Sequence, residues 1–93
     1  MDITIQRDEA GSRFIAEVGG QVAELRYREH DPVTLDFHHT FVPVELRGGG
    51  VAGALAGYAL DWARASGRKV QPSCPYIAAY LRRHPEYADL VAG

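Results

Sequence analysis

At 93 residues and 46% hydrophobic content, the chain has the length of one small domain and enough apolar side chains to build its core. A formal net charge of -2 gives no case for charge-driven nucleic-acid binding, and the single Cys74 excludes an intrachain disulfide and argues against a cysteine-based metal cluster. No apolar run is long enough to span a membrane, and Met1-Asp2-Ile3-Thr4 lacks a basic region followed by an apolar core, so no secretory signal is read and a cytoplasmic protein is expected.

Ile3 and Ile5 alternate with polar neighbours and predict a short first strand, closed by a turn at Asp8-Glu9-Ala10-Gly11. Arg13 to Val18 reads as a second strand with Phe14, Ala16 and Val18 on one face. Gly19-Gly20 is a hairpin signal, because both central residues can take positive φ. A third strand starts at Gln21, with Ala23, Leu25 and Tyr27 facing one way, and His30-Asp31-Pro32 reads as its closing turn. The fourth strand is expected from Val33 to Val42. Strict alternation puts Val33, Leu35, Phe37, His39 and Phe41 on one face and Thr34, Asp36, His38, Thr40 and Val42 on the other. Pro43 should end or splay it. Of the adjacent pair, His38 and His39 cannot chelate one metal together; His39 is the candidate for moving protons in a cleft, against the simpler reading of one half-buried and one solvated imidazole. Four scattered histidines show no zinc spacing, so no metal site is expected.

Val51, Leu55, Tyr58 and Trp62 then recur at helical spacing and predict a helix to about Ser66, stopped by Gly67. Its start is unusual. The residues before it are Gly48, Gly49 and Gly50, with no side chain to satisfy the free N–H groups. An anion could do so, helped by the helix dipole and by Arg47 at the loop edge. A flexible turn filled by water is the plainer alternative. Gly53 and Gly57 inside the helix mark a close approach by the sheet or a ligand, or a tolerated defect. Arg68 to Pro72 reads as a fifth strand, parallel to the fourth because a helix intervenes. Pro75 suits the first position of a second helix, with Ser73 or Cys74 near its cap and Ile77, Tyr80 and Leu81 as its apolar stripe. Arg82, Arg83 and His84 fill its last turn, Pro85 ends it, and one further helical turn follows. Cys74 is either a small buried hydrophobe or a thiol activated by the helix start. Tyr76 and Tyr80 are core aromatics first and proton donors second.

Gly48-Gly49-Gly50-Val51-Ala52-Gly53 matches G-x-G-x-x-G, but the preceding strands are antiparallel and no carboxylate stands near Lys69 to Ser73, so a dinucleotide site is rejected. No Gly-Lys-Ser/Thr follows the glycines, so the nucleoside-triphosphate loop is rejected too.

The order strand, Arg-x-x-Gly-x-Ala, helix, strand, helix resembles the acetyl-CoA-dependent N-acetyltransferase (GNAT) superfamily, with Arg47, Gly50 and Ala52 in its signature. His39-Thr40-Phe41-Val42-Pro43, Leu46-Arg47-Gly48, Cys74-Pro75-Tyr76 and Arg83-His84-Pro85-Glu86-Tyr87 are similar to its very short, stand-alone branch, often called YjdJ-type. The resemblance implies one α+β domain over residues 1–93, a mixed sheet whose fourth and fifth strands splay apart. It implies acetyl-CoA as cofactor, with pantetheine paired to the backbone from Phe41 through Val42 to Val44. The pyrophosphate would rest on the N–H groups of Arg47, Gly48, Gly49, Gly50, Val51 and Ala52, with Cys74 and Tyr76 lining the site. It further implies acetyl transfer to an amine, with Cys74, Tyr80 and His39 as the candidate catalytic residues, Tyr76 as an alternative to Tyr80, and an N–H near Val42 stabilising developing negative charge. The helices that usually form part of the acceptor site are replaced by the short turn at Asp8 to Gly11, so the acceptor site is open, shared with a partner subunit, or suited to a bulky acceptor such as a protein tail. No conventional Glu base stands out in the fourth strand. That leaves a second reading beside the enzyme: a CoA-binding module acting through protein contacts, with no nucleic-acid or membrane partner in either case.

Overall fold

The computed structural model describes residues 3–92; Met1 and Asp2, on which the reading of the N-terminus partly rests, and Gly93 lie outside the described residues. The chain forms one mixed sheet of β1 (Thr4–Asp8), β2 (Arg13–Val18), β3 (Gln21–Asp31), β4 (Thr34–Phe41) and β5 (Lys69–Gln71), in that spatial order. The first four strands are antiparallel neighbours and β5 lies parallel to β4. Helix α1 (Val51–Ala65) makes the crossover and α2 (Pro75–Arg83) follows β5; Val44–Leu46 and Pro85–Leu90 are 3₁₀ turns. This is the expected α+β architecture, with β5 shorter than Arg68 to Pro72 and the C-terminal turn longer than one helical turn.

The meander forms where alternation and turn chemistry agree. Gly19 and Gly20 both take positive φ, at 56° and 82°, and bring β2 onto β3 with Phe14 opposite Leu25 and Ala16 opposite Ala23. Phe14, Ala16, Ala23 and Leu25 are fully buried, and Tyr27 nearly so. The expected turn at His30-Asp31-Pro32 is corrected: β3 continues through Asp31, and the turn is Pro32-Val33, where the Val33 N–H donates to Asp31 Oδ1 at 2.9 Å.

β4 departs from strict alternation. Its register against β3 jumps from Tyr27–Phe37 to Arg26–His39, so His38 has no partner and forms a β-bulge. Beyond the bulge the faces exchange. Thr40, opposite buried Leu25, joins Leu35 and Phe37 on the core face, while His39 lies opposite Arg26 and is exposed. The expected sharing of a face by Val33, Leu35, Phe37, His39 and Phe41 is therefore corrected: only Leu35 and Phe37 hold it. Val33 is in the turn, 60% exposed, and Phe41 is 45% exposed. β4 also begins at Thr34 and ends at Phe41, one residue inside each expected limit.

Helix α1 lies across the Phe14 face of the sheet, with the rings of Tyr58 and Trp62 edge-on to Phe14 at centroid distances of 6.0 and 5.6 Å. Its buried side is Val51, Leu55, Ala56, Ala59, Leu60 and Ala63, where the small alanines let the helix lie close to the sheet. Gly53 and Gly57 are approached by α2: a Cβ on Gly57 would stand 3.3 Å from the Tyr80 hydroxyl, and one on Gly53 3.7 Å from that of Tyr76. The close approach read from these glycines is thus helix to helix, rather than to the sheet. Val91 makes an isolated parallel bridge to Val70 at the outer edge of β5.

Candidate active site

The β4–β5 ladder is short. It runs through Thr34–Lys69, Leu35–Val70 and Asp36–Gln71, and ends there. Pro72, which cannot donate, then turns the chain away, and the next contact is the Cys74 N–H donating to the Phe37 carbonyl at 2.9 Å. From His38 onward β4 continues with no strand on that side among the described residues, so the two strands part just past Asp36 and Phe37.

At the far end of β4 the chain makes the Val44–Leu46 turn and the Arg47–Gly50 loop before entering α1. Gly48 and Gly50 take φ of 85° and 81°, conformations that side-chain-bearing residues rarely adopt, and nothing lies within 4 Å of where a Cβ would stand. Gly50 is the helix N-cap. No side chain caps it, and no acidic residue lies in the first turn. The first helical hydrogen bond is donated by Ala54 to the Gly50 carbonyl at 3.0 Å. The amides of Val51, Ala52 and Gly53 therefore have no intrahelical acceptor and carry the positive end of the helix dipole.

These groups line a pocket of about 280 Å³ bounded by Val42, Leu46, Arg47, Gly48, Gly50, Val51, Ala52, Gly53 and Tyr76. Seven of these are residues singled out in the sequence. Leu46 is not among the expected site residues, and Gly53 is read there only as a point of close approach by the sheet or a ligand. Gly49 belongs to the same loop, its N–H directed at the Leu46 carbonyl at 3.4 Å, but does not line the pocket. Arg47 Nε donates to the Val42 carbonyl at 3.0 Å, which ties the loop to the end of β4. Phe41 and Val44 stand exposed on either side of Val42-Pro43, outside the pocket wall.

The candidate catalytic residues are not brought together. Cys74 is the N-cap of α2, buried, with its Sγ 3.5 Å from Thr40 Oγ1. Tyr76 reaches the pocket, whereas Tyr80 is one helical turn further on, its hydroxyl against Gly57 and its ring stacked on His84 with centroids 3.9 Å apart. Burial raises the pKa of both phenols; for Tyr76 the Arg83 guanidinium opposes this in part. Both hydroxyls are therefore protonated at neutral pH. His39 is exposed on the face away from α1, so its expected place in a cleft is corrected; the bulge at His38 is the reason.

Two further residues escaped the sequence. Thr40 meets Cys74 only because the bulge turns it inward, and nothing in the alternation signals that. Asp36 sits at the last rung of the β4–β5 ladder with a side chain only 6% exposed. Its Oδ2 accepts from Arg28 Nε at 3.1 Å, while buried Oδ1 has no hydrogen-bond partner among the described residues. Burial is the largest influence on this carboxyl and pushes its pKa up, but polar contact with Ser73 and the Arg28 guanidinium outweighs it, leaving the group below its usual range and ionised at neutral pH. The one available signal was an acidic residue at an inner position of a strand.

A family model described as GCN5-related N-acetyl-transferase matches residues 13–90, from the start of β2 to the end of the last 3₁₀ turn. The chain belongs to the GCN5-related N-acetyltransferase family. Among curated relatives, the protein NATD1 of Xenopus tropicalis is 32% identical over 85 residues, covering 89% of this chain and 78% of the relative. Human NATD1 is also 32% identical over 85 residues, covering 89% and 75%. A solution NMR structure of a Staphylococcus aureus protein described as a GCN5-like N-acetyltransferase superposes with a TM-score of 0.76 at 28% identity, covering 97% of this chain and 88% of that one. The family fold in this chain comprises the parted β4 and β5 and the uncapped start of α1. An acyl-CoA pyrophosphate suits that start: the loop offers free amides, a guanidinium at its edge and no Cβ at Gly48 or Gly50 to hold an anion off.

Proposed function

We propose that this chain binds acetyl-CoA in the pocket at the start of α1 and along the gap between β4 and β5, and transfers the acetyl group to an amine. The observation that carries the reading is the conjunction of an uncapped helix start, a glycine loop in left-handed conformations and an adjoining pocket, in a chain of this family. The amides of Gly48, Gly50, Val51, Ala52 and Gly53 would hold the pyrophosphate, Arg47 would screen its charge, and Phe41, Val42 and Val44 would flank the pantetheine arm.

Bound acetyl-CoA supplies an acetyl group activated as a thioester, which a neutral amine can attack. The chain's residues then divide the work. Asp36 faces the side of the sheet away from α1 while the pocket opens on the α1 side, so cofactor and acceptor approach the parted strands from opposite faces. Asp36, whose Oδ1 is buried and unpartnered among the described residues at the point where the strands part, would be the group that accepts the amine proton. The Tyr76 hydroxyl, protonated at neutral pH and on the pocket wall, would be the proton donor for the leaving thiolate. The Cys74 thiol, 3.5 Å from Thr40 Oγ1 and outside the pocket lining, would border the arm where β4 and β5 part. The β1–β2 connection at Glu9–Ser12 adds no wall on the acceptor side, which favours a bulky acceptor such as an amine on a protein.

One observation favours a second reading, a non-catalytic acetyl-CoA-binding module acting through protein contacts: no carboxylate or imidazole lines the pocket itself. Calorimetric titration with acetyl-CoA, with NAD as control, followed by a thiol-release assay over a panel of amines, separates the two. Micromolar binding with turnover supports the enzyme. Binding without turnover on any amine supports the module, and no binding removes both.

A further inference from the structure

We propose that Arg28 is a positioning residue for acetyl transfer: by holding Oδ2 of Asp36 from the solvent side, it turns the carboxylate so that Oδ1 is left to accept a proton. This rests on the transfer reaction and on Asp36 as its base.

The geometry is specific. Arg28 stands directly opposite Asp36 in the β3–β4 ladder. Register irregularities fall on both sides of that rung, between Arg26 and Tyr27 and between Glu29 and Asp31, so the Tyr27–Glu29 segment is set apart from the regular meander. The two partners differ sharply in exposure. The Arg28 side chain is 67% exposed and that of Asp36 6%. A cation that stays hydrated is thus spent on one oxygen of a buried anion, through a single Nε contact at 3.1 Å, with no second bond to the other oxygen. A purely structural pair would gain more from a bidentate fork, which would engage both carboxylate oxygens. The same face of the sheet carries Arg13 of β2 with Glu24 and Arg26 of β3, paired among themselves, exposed His39 and half-buried His38 of β4, and Lys69 of β5, whose ammonium is given to the Asp89 carbonyl; Ser73, after β5, adds hydrogen bonding from its side chain and backbone to the Asp36 carboxyl. Among the described residues, Arg28 is the one cation within ion-pair distance of Asp36.

The test uses the whole chain with Arg28→Gln, Arg28→Met and Arg28→Lys, read in two ways. The first is the Asp36 carboxyl carbon followed by NMR against pH. The second is the pH profile of kcat/KM with acetyl-CoA and an amine that the wild type acetylates. In Arg28→Gln, both the carboxyl titration and the acidic limb should move to higher pH by about one unit or more. Arg28→Lys should restore most of the wild-type profile, and KM for acetyl-CoA should stay within about twofold, because Arg28 is remote from the pocket. Arg28→Met keeps the apolar stem and serves if the Gln variant does not fold. Wild-type turnover with an unshifted carboxyl titration and an unshifted limb in the neutral variants overturns the proposal and leaves the acetyltransferase reading standing. No wild-type turnover removes that reading and this proposal with it, and the carboxyl titration then shows separately whether Arg28 governs Asp36.

Discussion

His38 occupies one extra position in β4, and that single residue decides which side chains meet the Cys74 thiol. With regular alternation, His39 would face the core and Thr40 the solvent; with the bulge, Thr40 Oγ1 comes to 3.5 Å from Cys74 Sγ. Thr40→Val keeps the shape and removes the hydroxyl. If the pair orients the thiol beside the reacting end of the arm, this variant should lose turnover by about tenfold, roughly one hydrogen bond's worth, while acetyl-CoA binding in calorimetry is unchanged. Cys74→Ala should likewise keep binding and lose acetylation; unchanged turnover in both variants would reduce the pair to packing. Asp36→Asn should abolish most turnover and move no binding constant. Sign follows from the carboxyl's lowered pKa: the ionised form dominates at neutral pH, so activity and the ion pair's contribution to stability are both present there, and both are lost as pH falls through the folded-state value.

At the level of elements, the helix interior offers a stability test. Gly53→Ala and Gly57→Ala each remove a helix-disfavouring residue, worth about 1 kcal/mol in an open setting. The new Cβ would meet the Tyr76 hydroxyl at an ordinary 3.7 Å but the Tyr80 hydroxyl at a tight 3.3 Å, and the Tyr80 ring is pinned by its stack on His84. Thermal unfolding should therefore show Gly53→Ala as stabilising and Gly57→Ala as near neutral or destabilising; equal gains would mean that α2 yields freely. Phe14→Ala should cost about 3–5 kcal/mol, since that ring is fully buried and packs on Tyr27, Phe37, Tyr58 and Trp62. The elements themselves were legible because local chemistry and global packing agree: alternation in β2 and β3, Gly19-Gly20 between them, and the uncapped start of α1 all survive folding. The site was legible only in part. The glycine loop carries its own signal in residue type. The bulge does not, because it is fixed by pairing with β3, and so His39 was placed on the wrong face and Thr40 overlooked. Asp36 carries no signal for a related reason: Arg28 is set opposite it by the β3–β4 register and Ser73 is brought to it from the segment after β5.

For the whole molecule, the meander, the crossover and the second helix serve to hold two things at fixed separation: a helix start with free amides and a pair of strands that part. Anion binding at the first and amine chemistry at the second need each other only if one ligand spans both, and acetyl-CoA is the ligand that would. The most direct measurement is a ¹⁵N-resolved amide titration of the chain with acetyl-CoA, beside an equal titration with NAD. Saturable shifts are expected with acetyl-CoA alone, largest at Gly48 to Gly53 and continuing along Phe41 to Val44 and Cys74. Shifts absent from the glycine loop, or equal with both ligands, would contradict acetyl-CoA binding at the start of α1.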